Sequence, residues 1–356
     1  MRGKAILSAL VAGSVLAAAA PPASPVGRPA PSLAQLIGQR LLVRMRGTSP
    51  SAELLSRIRS GQVGGIVLYA NNIPKAGPRA LVGRLQAAAH AGGQLPLLIA
   101  VDQEGGTVKR LPGPPTEAPA AMTTVEAAHA QGLETGRYLR HVGVSLDLAP
   151  VLDVPVSPAA FIAPRAFGSN PASVATRADA FAAGLESAGV GATAKHFPGD
   201  GRLKESTDDA AGVVGATRLA LRRDLAPFRA AVRSGIPAVM VGTAVYPGYG
   251  TRLPAACSKR ILDLLRGDLG FTGVTLSDDL DTPAVLSQLS TSDATVRAAV
   301  AGIDMIYLSG SRSDPVDEDA YAALLRAVHN GQLTRSSLQA SYDRIAILKE
   351  TYAAGA

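Results

Sequence analysis

The sequence has few of the residues from which disulfides, metal sites and aromatic platforms are built. One of its 356 residues is cysteine, Cys257, so no disulfide can form within the chain and the core alone must stabilise the fold. Tryptophan is absent and aromatic residues make up 4%, so a ligand must be held mainly by polar groups. The five histidines, the cysteine and the acids show no ligand spacing, so we expect neither a metal nor a cofactor.

The charge is positive but not concentrated in one stretch. The formal net charge is +7, from 35 Lys and Arg against 28 Asp and Glu. The basic residues are scattered along the chain, whereas a nucleic-acid-binding face requires a clustered stripe. We therefore expect no nucleic-acid partner. The hydrophobic content of 47% is enough to bury a large α/β core.

The first 32 residues are not typical of a folded domain. A basic start at residues 1–4 precedes the apolar run 5–20, and small residues and prolines follow. This layout indicates a signal peptide over residues 1–20, and it predicts a secreted, extracellular protein with no stable membrane insertion after signal removal. An uncleaved anchor is the alternative. Residues 21–32 hold five prolines and indicate a flexible segment, so the folded domain is expected over residues 33–356.

Short apolar runs alternate with segments of helical periodicity after residue 32. Strands that are apolar throughout are typical of a parallel sheet covered on both faces. Eight such strands with intervening helices predict an α/β fold, a single-domain (β/α)8 TIM-like barrel, with a doubly wound sheet as the main competitor. The predicted strands lie at 41–45, 65–69, 97–101, 144–148, 191–195, 238–242, 274–277 and 305–308. Helices are predicted between them, for example at 78–90, 123–142, 172–188, 216–234, 259–269 and 292–301.

Polar residues follow several of the predicted strands. Asp102 comes directly after one strand, Lys195 and His196 end another, and Asp278 follows a third. In a (β/α)8 barrel the carboxyl ends of the strands open onto the face that carries the active site. We therefore expect these side chains to converge at one mouth of the barrel. Capping of the following helix accounts for one or two such residues but not for all of them.

The same residues lie in motifs that resemble the N-terminal barrel domain of family 3 glycoside hydrolases. The branch that is most similar is that of the single-domain β-N-acetylglucosaminidases of peptidoglycan recycling. The resemblance covers residues 33–352 and implies the same barrel. In chain order the motifs are A-V-D-Q-E-G-G-T-V-K-R (100–110), L-A-P-V-L-D-V (148–154), P-R-A-F-G (164–168), K-H-F-P-G-D-G (195–201), A-V-Y-P (244–247) and L-S-D-D-L (276–280).

The resemblance also implies roles for single residues. Retaining glycoside hydrolysis needs a carboxylate that attacks the anomeric carbon and an acid that protonates the leaving oxygen. The first acid of L-S-D-D-L, Asp278, stands at the nucleophile position, and Asp279 is expected to be a structural partner. Asp102 is expected to accept hydrogen bonds from sugar hydroxyls. The expected donors to other ring oxygens are Arg110, Arg165, Lys195 and His196.

This chain departs from the motifs of the resembling branch in the loop that follows K-H-F-P-G. The branch carries Asp-Ser-His after K-H-F-P-G, with the histidine as general acid/base, and these positions hold Ser206, Thr207 and Asp208 here. None of the histidines other than His196 lies in a predicted strand-end loop. Asp208 is therefore the candidate acid/base, with Glu205 or Asp209 as alternates.

The sequence thus predicts a secreted, monomeric glycosidase that acts by retaining exo-hydrolysis on a terminal β-linked sugar. N-acetylglucosamine from cell-wall or chitin-type fragments is the expected sugar. One alternative is a carbohydrate-binding protein of the same fold that has lost efficient catalysis. The others are a β-glucosidase-type substrate, a substrate with a good leaving group, or an acid supplied by another chain.

Overall fold

Eight parallel strands form the centre of the molecule. The computed structural model describes residues 30–310 and 316–354, so the predicted signal peptide at 1–20 and residues 21–29 of the predicted flexible segment lie outside the described residues. The strands agree with the predicted ones to within three residues at each end. They are β1 (Leu41–Arg44), β2 (Gly65–Leu68), β3 (Leu98–Val101), β6 (Leu146–Asp147), β7 (Thr193–Phe197), β8 (Ala238–Val241), β9 (Val274–Ser277) and β10 (Ile306–Leu308). A short hairpin outside the barrel, β4 (Gln103–Gly105) and β5 (Val108–Lys109), follows β3.

Hydrogen bonds close these strands into a ring in chain order. Parallel pairing runs from β10 through β1, β2 and β3 to β6, and separately from β7 through β8 to β9. The gap between β6 and β7 is bridged where the Asp147 N–H donates to the Gly191 carbonyl at 2.9 Å, and β9 joins β10 where the Ser277 N–H donates to Met305. The closed ring confirms the (β/α)8 barrel and excludes the doubly wound sheet, which has open edges.

Helices surround the barrel, and most of the longer ones begin at a polar cap. Ser51, Thr124, Asn170, Ser290 and Thr334 each accept a backbone N–H from the first turn of the helix that they precede. The helices are α1 (Leu33–Gly38), α2 (Ala52–Arg59), α3 (Arg79–Ala91), α4 (Val125–His141), α5 (Pro171–Ser187), α6 (Arg218–Leu221), α7 (Ala226–Ser234), α8 (Lys259–Asp263), α9 (Pro283–Leu286), α10 (Thr291–Ala301), α11 (Val316–His329) and α12 (Arg335–Tyr352).

The single helix predicted over 216–234 is wrong, because two helices, α6 and α7, occupy this segment. Pro227 is the second residue of α7 and has no N–H to donate, so a continuous helix cannot pass through it. Asp224 lies between the two helices and is fully buried, with its carboxylate bound to the Arg202 side chain. The helix predicted over 259–269 is likewise α8 followed by a π-turn at Leu264–Asp268.

The core has two layers. One layer lies between the strands and the surrounding helices, and the other fills the barrel. Inside the barrel, residues such as Leu42, Leu98 and Leu276 meet Ile345 and Leu348 of α12, so α12 closes the amino-terminal end of the ring. Within the barrel, the opposite, carboxyl-terminal mouth is the end that α12 leaves open. From Pro31 onward the chain forms one compact unit.

None of the helices in the described part of the chain is long and apolar enough to cross a membrane.

Candidate active site

A cavity of about 260 Å³ lies at the carboxyl-terminal mouth of the barrel. This volume is slightly below the range of about 300–1,000 Å³ that is typical of small-molecule pockets, so it suits one sugar ring better than a long chain. The structure brings all seven predicted site residues together on its wall. They are Asp102, Arg110, Arg165, Lys195, His196, Asp208 and Asp278.

Two acids and three cations form a largely buried network on one side of the cavity. The Lys195 ammonium, on β7, donates to Asp102 Oδ1 at 2.6 Å and lies 2.7 Å from Glu104 Oε1. Arg165, from the turn Ala163–Arg165, donates to both Glu104 oxygens, at 2.7 and 2.8 Å. The second Asp102 oxygen is 3.9 Å from Arg110. The network holds Asp102 at the cavity wall with one oxygen more loosely bound than the other.

Glu104 was not among the predicted site residues, although it stands in the quoted motif two residues after Asp102. Burial alone would raise its pKa, but the Lys195 and Arg165 cations lower the pKa of Glu104 to about 2. It lies in β4 (Gln103–Gly105), which forms a hairpin with β5 (Val108–Lys109). Gly105 makes the tight turn with φ +97°, and a Cβ there would lie 2.4 Å from the Glu117 carbonyl.

His196 is held by Asp153, a carboxylate with no solvent exposure. The Asp153 Oδ2 atom lies 2.7 Å from His196 Nδ1, and Asp153 Oδ1 accepts the Asp200 N–H at 2.6 Å. Burial alone would lower the pKa of His196, but the Asp153 charge and its hydrogen bond raise it above the ordinary value. The raised pKa favours an imidazolium that donates into the cavity.

Asp278 follows β9 and is only partly buried. Its backbone N–H donates to the Val241 carbonyl, and its Oδ1 atom accepts the Asp279 N–H at 2.8 Å. Asp279 has a different environment, because its Oδ1 atom accepts the backbone N–H groups of Asp281 and Ser309. Both acids line the cavity, but the Asp279 carboxylate also braces the turn after β9.

The acid loop, residues 200–212, covers another side of the cavity. Ser206, Thr207 and Asp208 line the cavity, whereas Glu205 and Asp209 are exposed and do not line it. Although Asp208 is open to water over more than a third of its surface, partial burial and then the Asp278 charge raise its pKa. The fourth loop acid, Asp200, also lines the cavity and was not among the predicted site residues.

The other histidines all lie on the outer helices. His90 is in α3, His129 and His141 are in α4, and His329 ends α11. None of them lines the cavity, so none occupies the place of the exchanged histidine. Across residues 30–310 and 316–354, no group of three or more His, Cys, Asp or Glu side chains has a geometry suited to a metal ion.

A closed parallel barrel with a small polar cavity and several carboxylates at its carboxyl-terminal mouth is the architecture of a (β/α)8 enzyme. The model of the glycosyl hydrolase family 3 N-terminal domain matches residues 32–348, and the chain belongs to this family.

Among curated proteins, the chain is 34% identical over 360 residues to the beta-hexosaminidase LpqI of Mycobacterium tuberculosis, covering 95% of this chain and 91% of the relative. It is 32% identical to a protein of Arthroderma benhamiae named as an uncharacterized secreted glycosyl hydrolase, over 95% of this chain and 98% of the relative.

Two solved structures are also similar. A family 3 beta-N-acetylglucosaminidase from Paenibacillus has a TM-score of 0.87 at 34% identity, and the match covers 92% of this chain but 64% of that one. A beta-N-acetylhexosaminidase from Beutenbergia cavernae has a TM-score of 0.82 at 33% identity, covering 90% of this chain and 99% of that one.

Proposed function

We propose that the chain is a secreted retaining exo-glycosidase that releases terminal β-linked N-acetylglucosamine from cell-wall or chitin-type fragments. The observation that supports this most strongly is the convergence of Asp278 with Asp102, Lys195 and His196 on one cavity of about 260 Å³. The related proteins named as hexosaminidases and acetylglucosaminidases support the choice of sugar. The protein is proposed to act as a monomer and without a cofactor.

The proposed reaction has two steps. Asp278 attacks the anomeric carbon and forms a glycosyl ester, while Asp208 protonates the leaving oxygen. Asp208 then removes a proton from the water that hydrolyses the ester. The nearby negative charge of Asp278 helps Asp208 to keep its proton before the first step. When Asp278 becomes an ester this charge disappears, so Asp208 then ionises more readily and can act as the base.

The remaining predicted residues are proposed to bind the sugar. Asp102 accepts hydrogen bonds from hydroxyl groups through the oxygen that Arg110 approaches only to 3.9 Å. Lys195 and Arg110 orient Asp102, and Arg165 is oriented by Glu104. All three cations are proposed to donate to ring oxygens, and His196 is proposed to donate close to Asp278. A charged donor next to a neutral sugar oxygen forms a stronger bond than a neutral donor would.

Hydrolysis of a β-N-acetylglucosaminide aryl glycoside tests the proposal. We expect turnover by the wild-type chain and a loss to the background rate in the Asp278→Asn variant, with sugar binding retained. As a matched control, the exposed Asp263→Asn on α8 should keep full activity.

Three other outcomes would contradict the proposal. Binding of N-acetylglucosamine by both chains without turnover would assign a carbohydrate-binding protein. Faster turnover of the matching β-glucoside would assign a β-glucosidase. Unchanged activity in Asp278→Asn would remove the nucleophile assignment.

A further inference from the structure

Arg44, the last residue of β1, is a half-buried arginine that lines the cavity. Its guanidinium donates to the Asn71 side-chain oxygen at 3.1 Å. The other lysine and arginine side chains of the cavity wall each pair with an acid, and these are Arg110, Arg165 and Lys195. Within the described part of the chain, no acid forms an ion pair with Arg44. Its charge is therefore available to a ligand.

Tyr69, the residue after β2, has two arginines beside its ring. The Cζ atom of Arg44 lies 4.3 Å from the ring centre, and that of Arg110 lies 5.4 Å from it. The Tyr69 hydroxyl forms a hydrogen bond with the Tyr307 hydroxyl, which fixes the ring. Two guanidinium groups beside one ring repel each other, and an anion bound to both would relieve this repulsion.

Arg110 also has a donor without an acceptor. Its Nε atom is buried and has no hydrogen-bond partner among the described residues. A guanidinium has five N–H donors and no acceptor, so only an acceptor can satisfy it. The oxygens of a phosphate or sulfate ester match the planar fork of a guanidinium and carry the opposite charge. The site at Arg44 and Arg110 thus suits a ligand that brings anionic oxygens.

Positive charge exceeds negative charge on this side of the cavity. The largely buried network contributes three cations and two acids, and Arg44 adds a fourth cation. Asp279 is a further acid whose charge acts on Tyr69, but its carboxylate already accepts two backbone N–H groups. A neutral sugar would leave the excess positive charge unbalanced, whereas an anionic substituent would balance it.

The order of the strands places Arg44 away from the leaving oxygen. In the closed ring the order is β1, β2, β3, β6, β7, β8, β9 and β10, so β1 lies across the barrel from β7. Arg44 ends β1, whereas the acid loop with Asp208 follows β7. In the proposed reaction Asp208 protonates the leaving oxygen. Arg44 therefore faces the part of the terminal sugar that is remote from the glycosidic bond, which carries C4 and C6.

There is also room for a substituent beside Arg44. Arg44 lines a second cleft, of about 180 Å³, whose other walls include residues of α2 and α11. The acids that α11 contributes to this cleft, Asp317 and Glu318, pair with Arg57 and not with Arg44. A group attached to a sugar in the cavity can therefore extend past Arg44 without displacing the ring.

We propose that the cavity takes a terminal N-acetylglucosamine that carries an anionic ester, a phosphate or a sulfate, on the side remote from the glycosidic bond, and that Arg44 and Arg110 bind this ester. The inference rests on the proposed glycosidase function and narrows its substrate. Arg44 acts in binding and takes no part in the proton transfers.

The test compares nitrophenyl β-N-acetylglucosaminides that are unsubstituted or carry a sulfate or a phosphate ester at C6. We expect the wild-type chain to hydrolyse at least one ester with a kcat/KM no lower than that of the unsubstituted glycoside. Loss of a charged hydrogen bond weakens binding by about 10–100-fold, so Arg44→Met should lower the ratio of these two kcat/KM values by this factor. The change should lie mainly in KM.

Two further variants and the salt dependence are the controls. Arg44→Lys keeps the charge and should recover part of the ratio, whereas Arg233→Met, at an exposed position on α7, should leave the ratio unchanged. High salt should lower the wild-type ratio, because it screens the attraction between a partly exposed arginine and an anion.

The outcomes separate this inference from the proposed function. An unchanged ratio in Arg44→Met would overturn the inference, and so would rejection of both esters by a wild-type chain that hydrolyses the unsubstituted glycoside. An Arg44-dependent preference for a glycoside with a carboxylate on its aromatic leaving group would overturn the placement of the anion on the terminal sugar. If the wild-type chain hydrolyses none of these glycosides, the proposed function itself fails.

Discussion

At the scale of single residues, the charged groups of the cavity fall into two sets: some hold other side chains in place, and others can contact a ligand. Glu104 binds both Lys195 and Arg165, so part of the positive charge of each cation is already paired before a ligand enters the cavity. Asp153 does the same for His196. Asp102, Asp208 and Asp278 are less enclosed than these two acids and can meet a ligand. Replacing a supporting acid should therefore affect folding and binding together.

The Glu104→Gln variant tests this division. Removal of one partner from a buried charge network costs about 3–5 kcal/mol, so we expect a loss of about this size in the free energy of unfolding at pH 7. The pKa of Glu104 is lowered to about 2, below its unfolded value, so its contribution is present above the unfolded pKa and is lost as pH falls toward 2. Urea unfolding between pH 7 and 3 measures both effects.

The exposed Glu134→Gln on α4 is the matched control and should change stability by less than about 0.5 kcal/mol. A Glu104→Gln chain as stable as the wild type at pH 7 would show that the network does not brace the barrel mouth.

At the scale of elements, the acid loop is fixed at both ends. At its first residue, the Asp200 N–H donates to the Asp153 carboxylate. At its last residue, the Gly212 carbonyl accepts the Val245 N–H at 2.8 Å. Arg202 joins the loop to the junction between α6 and α7 through the fully buried Asp224, at 2.7 Å. The break between α6 and α7 therefore provides an anchor for the loop that carries Asp208.

Arg202→Met removes this anchor and keeps most of the aliphatic length of the side chain. We expect kcat to fall by about 10-fold because Asp208 is less well oriented, with KM changed by less than about 3-fold because the network at Asp102 is untouched. Steady-state kinetics on the aryl glycoside measure both values. Lys204→Met, at an exposed position of the same loop, is the control and should leave kcat and KM unchanged. An Arg202→Met chain with unchanged kcat would contradict the anchoring role.

At the scale of the whole molecule, a second set of buried charged groups lies at the end of the barrel opposite the cavity. The amino-terminal end is closed by α12, whose Lys349 is fully buried and donates to Gln39 Oε1 at 2.5 Å. Asp304, also at this end, binds Arg40, Arg266 and Arg344 through its carboxylate or its backbone. These charged groups are far from the mouth, so their titration should alter stability without altering the site.

Lys349 provides the test at this scale. Burial lowers the pKa of Lys349 to about 7, below its unfolded value, so its protonated form weakens the fold. We expect the free energy of unfolding to rise between pH 7 and 10 as Lys349 becomes neutral, and Lys349→Met to have a smaller rise over this range. Denaturant titrations at these two pH values measure the difference. An equal rise in the free energy of unfolding in both chains would show that burial does not lower the pKa of Lys349.

The strands could be predicted from the sequence because their apolar runs are continuous. The site could be predicted because Asp102, Lys195 and Asp278 lie at the ends of such runs. Pro227 marks the break between α6 and α7 in the sequence, but the burial of Asp224 at this break could not be predicted, since it depends on the bond to the Arg202 side chain. Glu104 and Asp200 were missed for a similar reason. Their importance lies in the partners that folding brings to them, Lys195 and Arg165 for the first and Tyr246 for the second.

The most direct test of the nucleophile is capture of the glycosyl ester. A fluorinated N-acetylglucosamine analogue with a good leaving group forms this ester quickly and loses it slowly, so mass spectrometry of the digested protein can locate it. We expect one sugar adduct, on the peptide that contains Asp278, and none in the Asp278→Asn chain. An adduct on another residue, or turnover of the analogue with no adduct at all, would contradict the account.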